Sequence, residues 1–342
     1  MLSRVAESIY WLNRYIERAE NIARFIDVNL HLTVGKNDKL AEQWRPLIST
    51  IGDEDEFDER YDGIASRENV LTFLLFDANY SNSVVSCVKR ARENARRIRQ
   101  ALPLVVWEQL NLFYLMVCNA AEEKDFSRIQ DFCEQVRLTS HLLGGAEDAT
   151  STKGEAWNFG RLARMTERAD KTSRIVDVQY YLLLPDQEGV GSSLDVLRWS
   201  ALLQSTSALM MYRRQYGRIV PSQVADFLIL DPYFSRSMYH CVLSAKEALA
   251  HVLGDETKQS KTALPTRIGK SIDDNLAIQQ LSQLEHSMSD TNIESVIATG
   301  IHEYIDDFQE QLNSIGNLLQ ANFFSWSGDD TEEQLAMAQQ QS

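Results

Sequence analysis

Apolar residues recur at three- and four-residue spacing along nearly all of this 342-residue chain, and breakers fall where the period stops. A chain patterned this way buries one stripe of each helix, so the reading is all-α. Only 15 glycines and 6 prolines interrupt it, which excludes collagen, a disordered chain and a turn-rich β fold. The spacing predicts a first long helix over 3–34, with Ser3 as its N-cap and Gly35 just past its end. Further helices are predicted over 40–51, 82–102, 103–121 and 126–143, the last ended by Gly144-Gly145, and then over 154–184 and 194–216. A short apolar segment, 224–230, precedes a helix reaching Leu253, and two more cover 272–288 and 293–323. Asp53-Glu54-Asp55-Glu56 reads as a solvated loop, 254–270 as a flexible one, and the acidic, Gln-rich tail from Ser327 as frayed.

The two halves resemble each other. At an offset of 150, Arg14, Glu17, Arg18, Ala19, Arg24, Asp27 and Val28 lie over Arg164, Glu167, Arg168, Ala169, Arg174, Asp177 and Val178. At an offset of 154, Phe73, Asp77, Ser81, Ser83 and Cys87 lie over Phe227, Asp231, Ser235, Ser237 and Cys241. Two matches in the same order predict a helical bundle of two pseudo-repeated halves with long N-terminal helices. The halves, 1–150 and 151–326, are expected to pack as one compact unit, with 327–342 as a flexible tail.

The pattern of drift between the copies carries more than the match. On a helical wheel the apolar stripe of the first helix is Leu12, Tyr15, Ile16, Ala19, Ile22, Ala23, Ile26 and Leu30, and only Leu12 and Ala19 recur unchanged. Of the opposite arc, Arg14, Glu17, Arg18, Arg24 and Asp27 recur, while Glu20 becomes Asp170 and Asn21 becomes Lys171. A solvated face should drift faster than a core stripe, because surface substitutions usually change stability by about 0.5 kcal/mol or less. The reversed order implies a shared, semi-buried Arg/Glu network. It reads either as a salt-bridge lattice joining two long helices or as a polar cavity whose guanidinium groups grip a carboxylate or phosphate.

With 34 basic against 49 acidic residues the net charge is −15, which excludes a general nucleic-acid coat but leaves room for a local basic pocket. The stretch Lys89 to Arg99 is such a local exception, read as a solvated basic face or as the wall of an anion site. Cys87, Cys118, Cys133 and Cys241 show no CxxC spacing, so buried free thiols in a reducing compartment are expected. No stretch reaches 18 consecutive apolar residues and no signal segment opens the chain, so a cytoplasmic protein without membrane contact is expected. Gly269-Lys270-Ser271 lacks the first glycine of a phosphate-binding loop, and His302-Glu303 is followed by Asp306 where a zinc-protease helix needs a second histidine. Neither a metal site nor a hydrolase nucleophile is therefore expected.

Met1 to Leu12, Arg14 to Asp27, Ala91 to Arg96, Trp107 to Asn111, Glu167 to Asp170, Tyr212 to Arg214 and Phe227 to Asp231 together resemble, in order, the alpha-E family, an all-helical bacterial family named for its Glu-Arg motif. Its members typically carry Asn-Pro-Ser-Ser before the Ala-Arg-Glu-Asn helix, where this chain has Asn79-Tyr80-Ser81-Asn82-Ser83. The resemblance implies partnership with a circularly permuted ATP-grasp ligase and with transglutaminase-like peptidases, in systems that form and process amide bonds. ATP and magnesium are then expected on the ligase, and no cofactor on this chain. Glu17 and Glu167 are the candidates for proton chemistry. Arg14, Arg18, Arg24, Arg92, Arg164, Arg168 and Arg174 are the candidate ligand-binding residues. The competing reading is a scaffold without a ligand.

Overall fold

A computed structural model describes residues 1–33, 41–183, 193–259 and 275–324, and among these it contains helices and no strand. Gly35, most of the expected 254–270 loop and the tail from Ser327 lie outside the described residues. The first half comprises α1 (Ser3–Thr33), α2 (Ala41–Ile51), α3 (Glu54–Tyr61), α4 (Arg67–Leu71), α5 (Val84–Arg97), α6 (Leu104–Glu123) and α7 (Ile129–Thr150). The second comprises α8 (Glu155–Leu183), α9 (Ser193–Ser205), α10 (Leu209–Tyr216), α11 (Pro221–Ile229), α12 (Met238–Gln259), α13 (Leu276–Ser289), α14 (Ile293–Thr299) and α15 (Ile301–Leu319).

The two long helices α1 and α8 pack on each other at the centre, and each is flanked by its own half: α5 and α7 on α1, α12 and α15 on α8. Local chemistry matches between the flanks. Ser83 caps α5 by accepting from Ser86 N at 3.1 Å, and Ser237 accepts from His240 N at 3.0 Å ahead of α12. The Asp77 and Asp231 carboxylates each accept a backbone N–H two residues on, at 2.8 Å. A four-ring cluster also occurs in each half. Phe57 stacks on Tyr61 and both meet Phe73 edge-on, as Tyr212 stacks on Tyr216 and both meet Phe227 edge-on. Phe73 stacks in turn on Tyr80, and Phe227 on Phe234.

Several expected boundaries move for identifiable reasons. Asp53 to Glu56 is no loop: Asp53 precedes α3 and the three following carboxylates form its first turn, where the helix dipole favours them. The predicted 194–216 helix breaks at Ser207, whose φ of +56° ends α9. The 293–323 helix breaks at Gly300, with φ +109°, where any Cβ would collide with the Glu303 carboxylate. Gly144 and Gly145 do not end α7, because Leu143 and Glu147 on the same helix are buried and hold the last turns down to Thr150. A Cβ on either glycine would meet no atom within 4 Å, so packing does not require glycine there. Gly144→Ala is expected to stabilise the fold by about 0.5–1 kcal/mol, read by urea denaturation.

α6 alone among the described helices has the length and mean hydropathy of a membrane span. It buries Val106, Leu110, Phe113 and Val117 and exposes Leu104, Leu112 and Leu115. All four cysteines are free, and burial pushes the Cys87 and Cys241 thiols up to about 12, so neither is a ready nucleophile.

α15 is fastened to α8 by His302 Nδ1 at 2.8 Å from Asp177 Oδ1, with Asp306 Oδ2 3.4 Å from Nε2. The hydrogen bond and charge of Asp177 raise the imidazole pKa. A raised folded-state pKa stabilises fully below the unfolded value near 6.5 and fades as pH rises through the folded value. The side chain is 60% exposed, so solvent screens the effect. An NMR titration is expected to place His302 above that unfolded value, and Asp177→Asn should bring it back.

Candidate functional site

The charged arcs of α1 and α8 face one another and exchange partners. Arg18 grips Glu167 with Nε at 2.7 Å and Nη2 at 3.0 Å, and Arg168 grips Glu17 with Nε at 2.7 Å and Nη2 at 2.9 Å. The Glu17-Arg18 and Glu167-Arg168 pairs therefore each close on the other half, through two bidentate bridges. Glu167 is fully buried, and Glu17 is 4% exposed. Burial alone would raise both carboxyl pKa values. Arg168 and Arg236 outweigh it for Glu17, and Arg18, Arg14 and Lys171 outweigh it for Glu167, so both stay ionised.

Each lattice carboxylate also has a further cation, delivered from different places. Lys171, one turn after Glu167, puts Nζ 3.8 Å from it. The corresponding residue after Glu17 is Asn21, and here Arg236 supplies the charge, 3.6 Å from Glu17 and bonded to the Asn21 side-chain carbonyl at 3.0 Å. Arg236 occupies the sequence position that corresponds to Asn82. Asn82 instead accepts from Arg18 Nη1 at 2.5 Å and donates to Asp53 at 3.0 Å, beside the Tyr80 hydroxyl on the same carboxylate. Lysine with asparagine on one side thus balances asparagine with arginine on the other.

A cavity opens on each side of this lattice. The first, of 390 Å³, is lined by Arg14, Arg18, Lys171 and Arg174 with Asp53 and Asp170 as its carboxylates. Arg14 donates from Nε to Glu167 at 2.5 Å and from Nη1 to the Tyr10 hydroxyl at 3.0 Å, and lies over the Tyr10 and Trp11 rings. Arg174 is held through Nε, by Asp170 at 3.1 Å. Gly52, with φ +82°, lets it in: a Cβ there would stand 2.5 Å from Arg174 Nη1. Gly316 of α15 and Asn82 complete the wall. The second cavity, of 300 Å³, is lined by Glu17, Glu20, Glu147, Arg164, Arg168 and Arg236, with Gly144 and Gly145 of α7 at its side.

The sequence candidates thus divide. Arg14, Arg18 and Arg174 reach the first cavity and Arg164, Arg168 and Glu17 the second. Glu167 lies sealed beneath Arg14 and Arg18 and lines neither. Arg24, 2% exposed, is spent on Glu20 and the Ser207 hydroxyl. Arg92 does not face the Glu-Arg helices: it donates to Asn111 at 2.7 Å and lies over the Tyr114 ring on α6. Lys171, Asn82, Arg236 and the cavity glycines were missed, because at the sequence level they are mismatches or helix breakers.

The described residues thus form an all-helical fold in which Glu17-Arg18 and Glu167-Arg168 interlock across two long central helices. The chain belongs to the Alpha-E family, described as a predicted alpha-helical domain with a conserved ER motif, which matches residues 1–324. Neither the curated proteins nor the solved structures give a match.

Proposed function

We propose that this chain is a cytoplasmic partner or subunit of an ATP-grasp-dependent amide-forming system, and that its first cavity holds a carboxylate, acyl phosphate or aminoacyl group. The observation that carries the reading is charge: Arg14, Arg18, Lys171 and Arg174 line that cavity against Asp53 and Asp170, and with Glu167 beneath Arg14 and Arg18 one positive charge is left over. Burying that surplus is unfavourable without an anion, and guanidinium forks fit carboxylate and phosphate oxygens. Arg174 and Arg14 are the groups expected to touch the ligand, with Lys171 adding charge. Glu17 and Glu167, held ionised, fix the arginines in place and are poor proton acceptors for an amine.

The interlocked pairs also support the scaffold reading for the lattice itself, since Glu17, Glu167, Arg18 and Arg168 are bonded to one another. Lattice and cavity are then two functions of one arc. The test is ATP turnover by the neighbouring ATP-grasp protein with carboxylate and amine panels, with and without this chain. Product that requires the wild-type chain and falls with Arg174→Gln supports the proposal. Turnover indifferent to the chain would leave the scaffold alone standing.

A further inference from the structure

The second cavity differs from the first in kind. Three glutamates face three arginines along its lining, so its charge cancels, where the first cavity keeps a surplus of cations. An isolated anion gains little there. Its other flank is aliphatic: Leu12 and Ile16 of α1, Val106 and Leu110 of α6, and Leu143 of α7. Arg164 and Arg168 keep 17% of their side chains exposed and Glu147 11%, so both signs reach the cavity surface beside that apolar wall.

On the same lining, half-buried Gly144 and exposed Gly145 sit inside α7, where glycine disfavours helix, and no protein atom lies within 4 Å of where a Cβ would stand. Gly316 stands likewise inside α15 beside the first cavity, also with open space around it. Gly144 and Gly316, both half-buried, therefore put no side chain into the cavities they border.

We infer that the second cavity is a binding site for a free α-amino acid with an aliphatic side chain. Arg164 and Glu147 are bonded to each other through Nη1 and Oε2, and Arg168 is held by Glu17. The ligand's carboxylate takes the other edge of the Arg164 guanidinium beside Arg168, its ammonium takes Glu147 Oε1, and its hydrocarbon lies along Val106, Leu110 and Leu143. A ligand with both charges and an apolar body satisfies all three features at once, and each half of it alone satisfies fewer. The inference rests on this cavity's own lining and stands whether or not the first cavity takes an anion.

The experiment is calorimetric titration of the full chain with L-leucine, with 3-methylbutylamine, which lacks the carboxylate, and with 4-methylpentanoate, which lacks the amine. Leucine is expected to bind and each analogue to bind at least about tenfold more weakly. Gly144→Leu should abolish leucine binding, while Gly316→Leu leaves it intact. Inorganic phosphate, titrated in parallel, reports on the first cavity and should respond to Gly316→Leu alone, so the two readings fail separately. A second readout in the unmutated cavity is the NMR signal of His141, which lines it 3.4 Å from Glu20. Leucine should shift that signal, assigned with His141→Gln. Absence of leucine binding, an equal affinity for 4-methylpentanoate, an unmoved His141 signal or full binding by a folded Gly144→Leu variant would each overturn the assignment.

Discussion

Glu167→Gln is expected to destabilise the chain by roughly 3–5 kcal/mol, because removing one member of a buried ionic cluster strands the others. Arg14, Arg18 and Lys171 all converge on this carboxylate, which is fully buried. Urea denaturation of wild type and variant reads the loss, and a change below about 1 kcal/mol would mean that water reaches the cluster and screens it. In the partner pair, replacing both members with apolar groups, as in Glu17→Leu with Arg168→Met, is expected to cost less than either single change. The double variant buries no lone charge, since Arg236 retains Glu20 at 2.9 Å. Acid should act on the same groups. Glu17, Glu20 and Glu167 have lowered folded-state pKa values, so their contribution is present above the unfolded value near 4.5 and disappears as pH falls through the folded values. Glu167→Gln should flatten that part of the stability–pH curve.

Arg174→Gln should do the opposite: leave the fold within about 1 kcal/mol of wild type and weaken anion binding about tenfold or more. Its guanidinium is 27% exposed, bonded to Asp170, and outside the Glu17/Glu167 bridges. Thermal melts with and without inorganic phosphate separate the two effects. Wild type should gain melting temperature with phosphate and the variant should not. A variant that melts early yet keeps the phosphate response would move Arg174 from the ligand to the framework.

The lattice was readable in the sequence because it reversed the usual rule of drift: the charged arc recurred while the apolar stripe repacked. That reversal pointed to burial, and Glu17, Arg18, Glu167 and Arg168 are where it located them. It could not show that a single arc makes two cavities, because that depends on which partner each guanidinium turns to. Exchange of charge between positions was equally hidden. Lys171 against Asn21 and Asn82 against Arg236 appear as mismatches in an alignment of the halves, yet in space they compensate, each bridge receiving one added cation beside its glutamate. Gly144-Gly145 misled for a physical reason, since intrinsic propensity ends a helix there and tertiary contacts at Leu143 and Glu147 carry it on. Arg92 misled because a one-dimensional wheel shows which arc a residue occupies but not which neighbour covers it.

The crossed bridges also bear on what either stretch of the chain could do alone. Residues 1–150 carry Glu17 and Arg18 but neither of their mates, Arg168 and Glu167, so this half alone opens the α8-facing side of α1 to water and loses both bidentate bridges. Because Arg18 corresponds to Arg168 and Glu17 to Glu167, a second copy of the same fragment, laid across a twofold axis, offers both missing mates at once. The intact chain thus holds, within one molecule, contacts with the grammar of a homodimer, and severing it between α7 and α8 is expected to make recovery of the lattice depend on concentration.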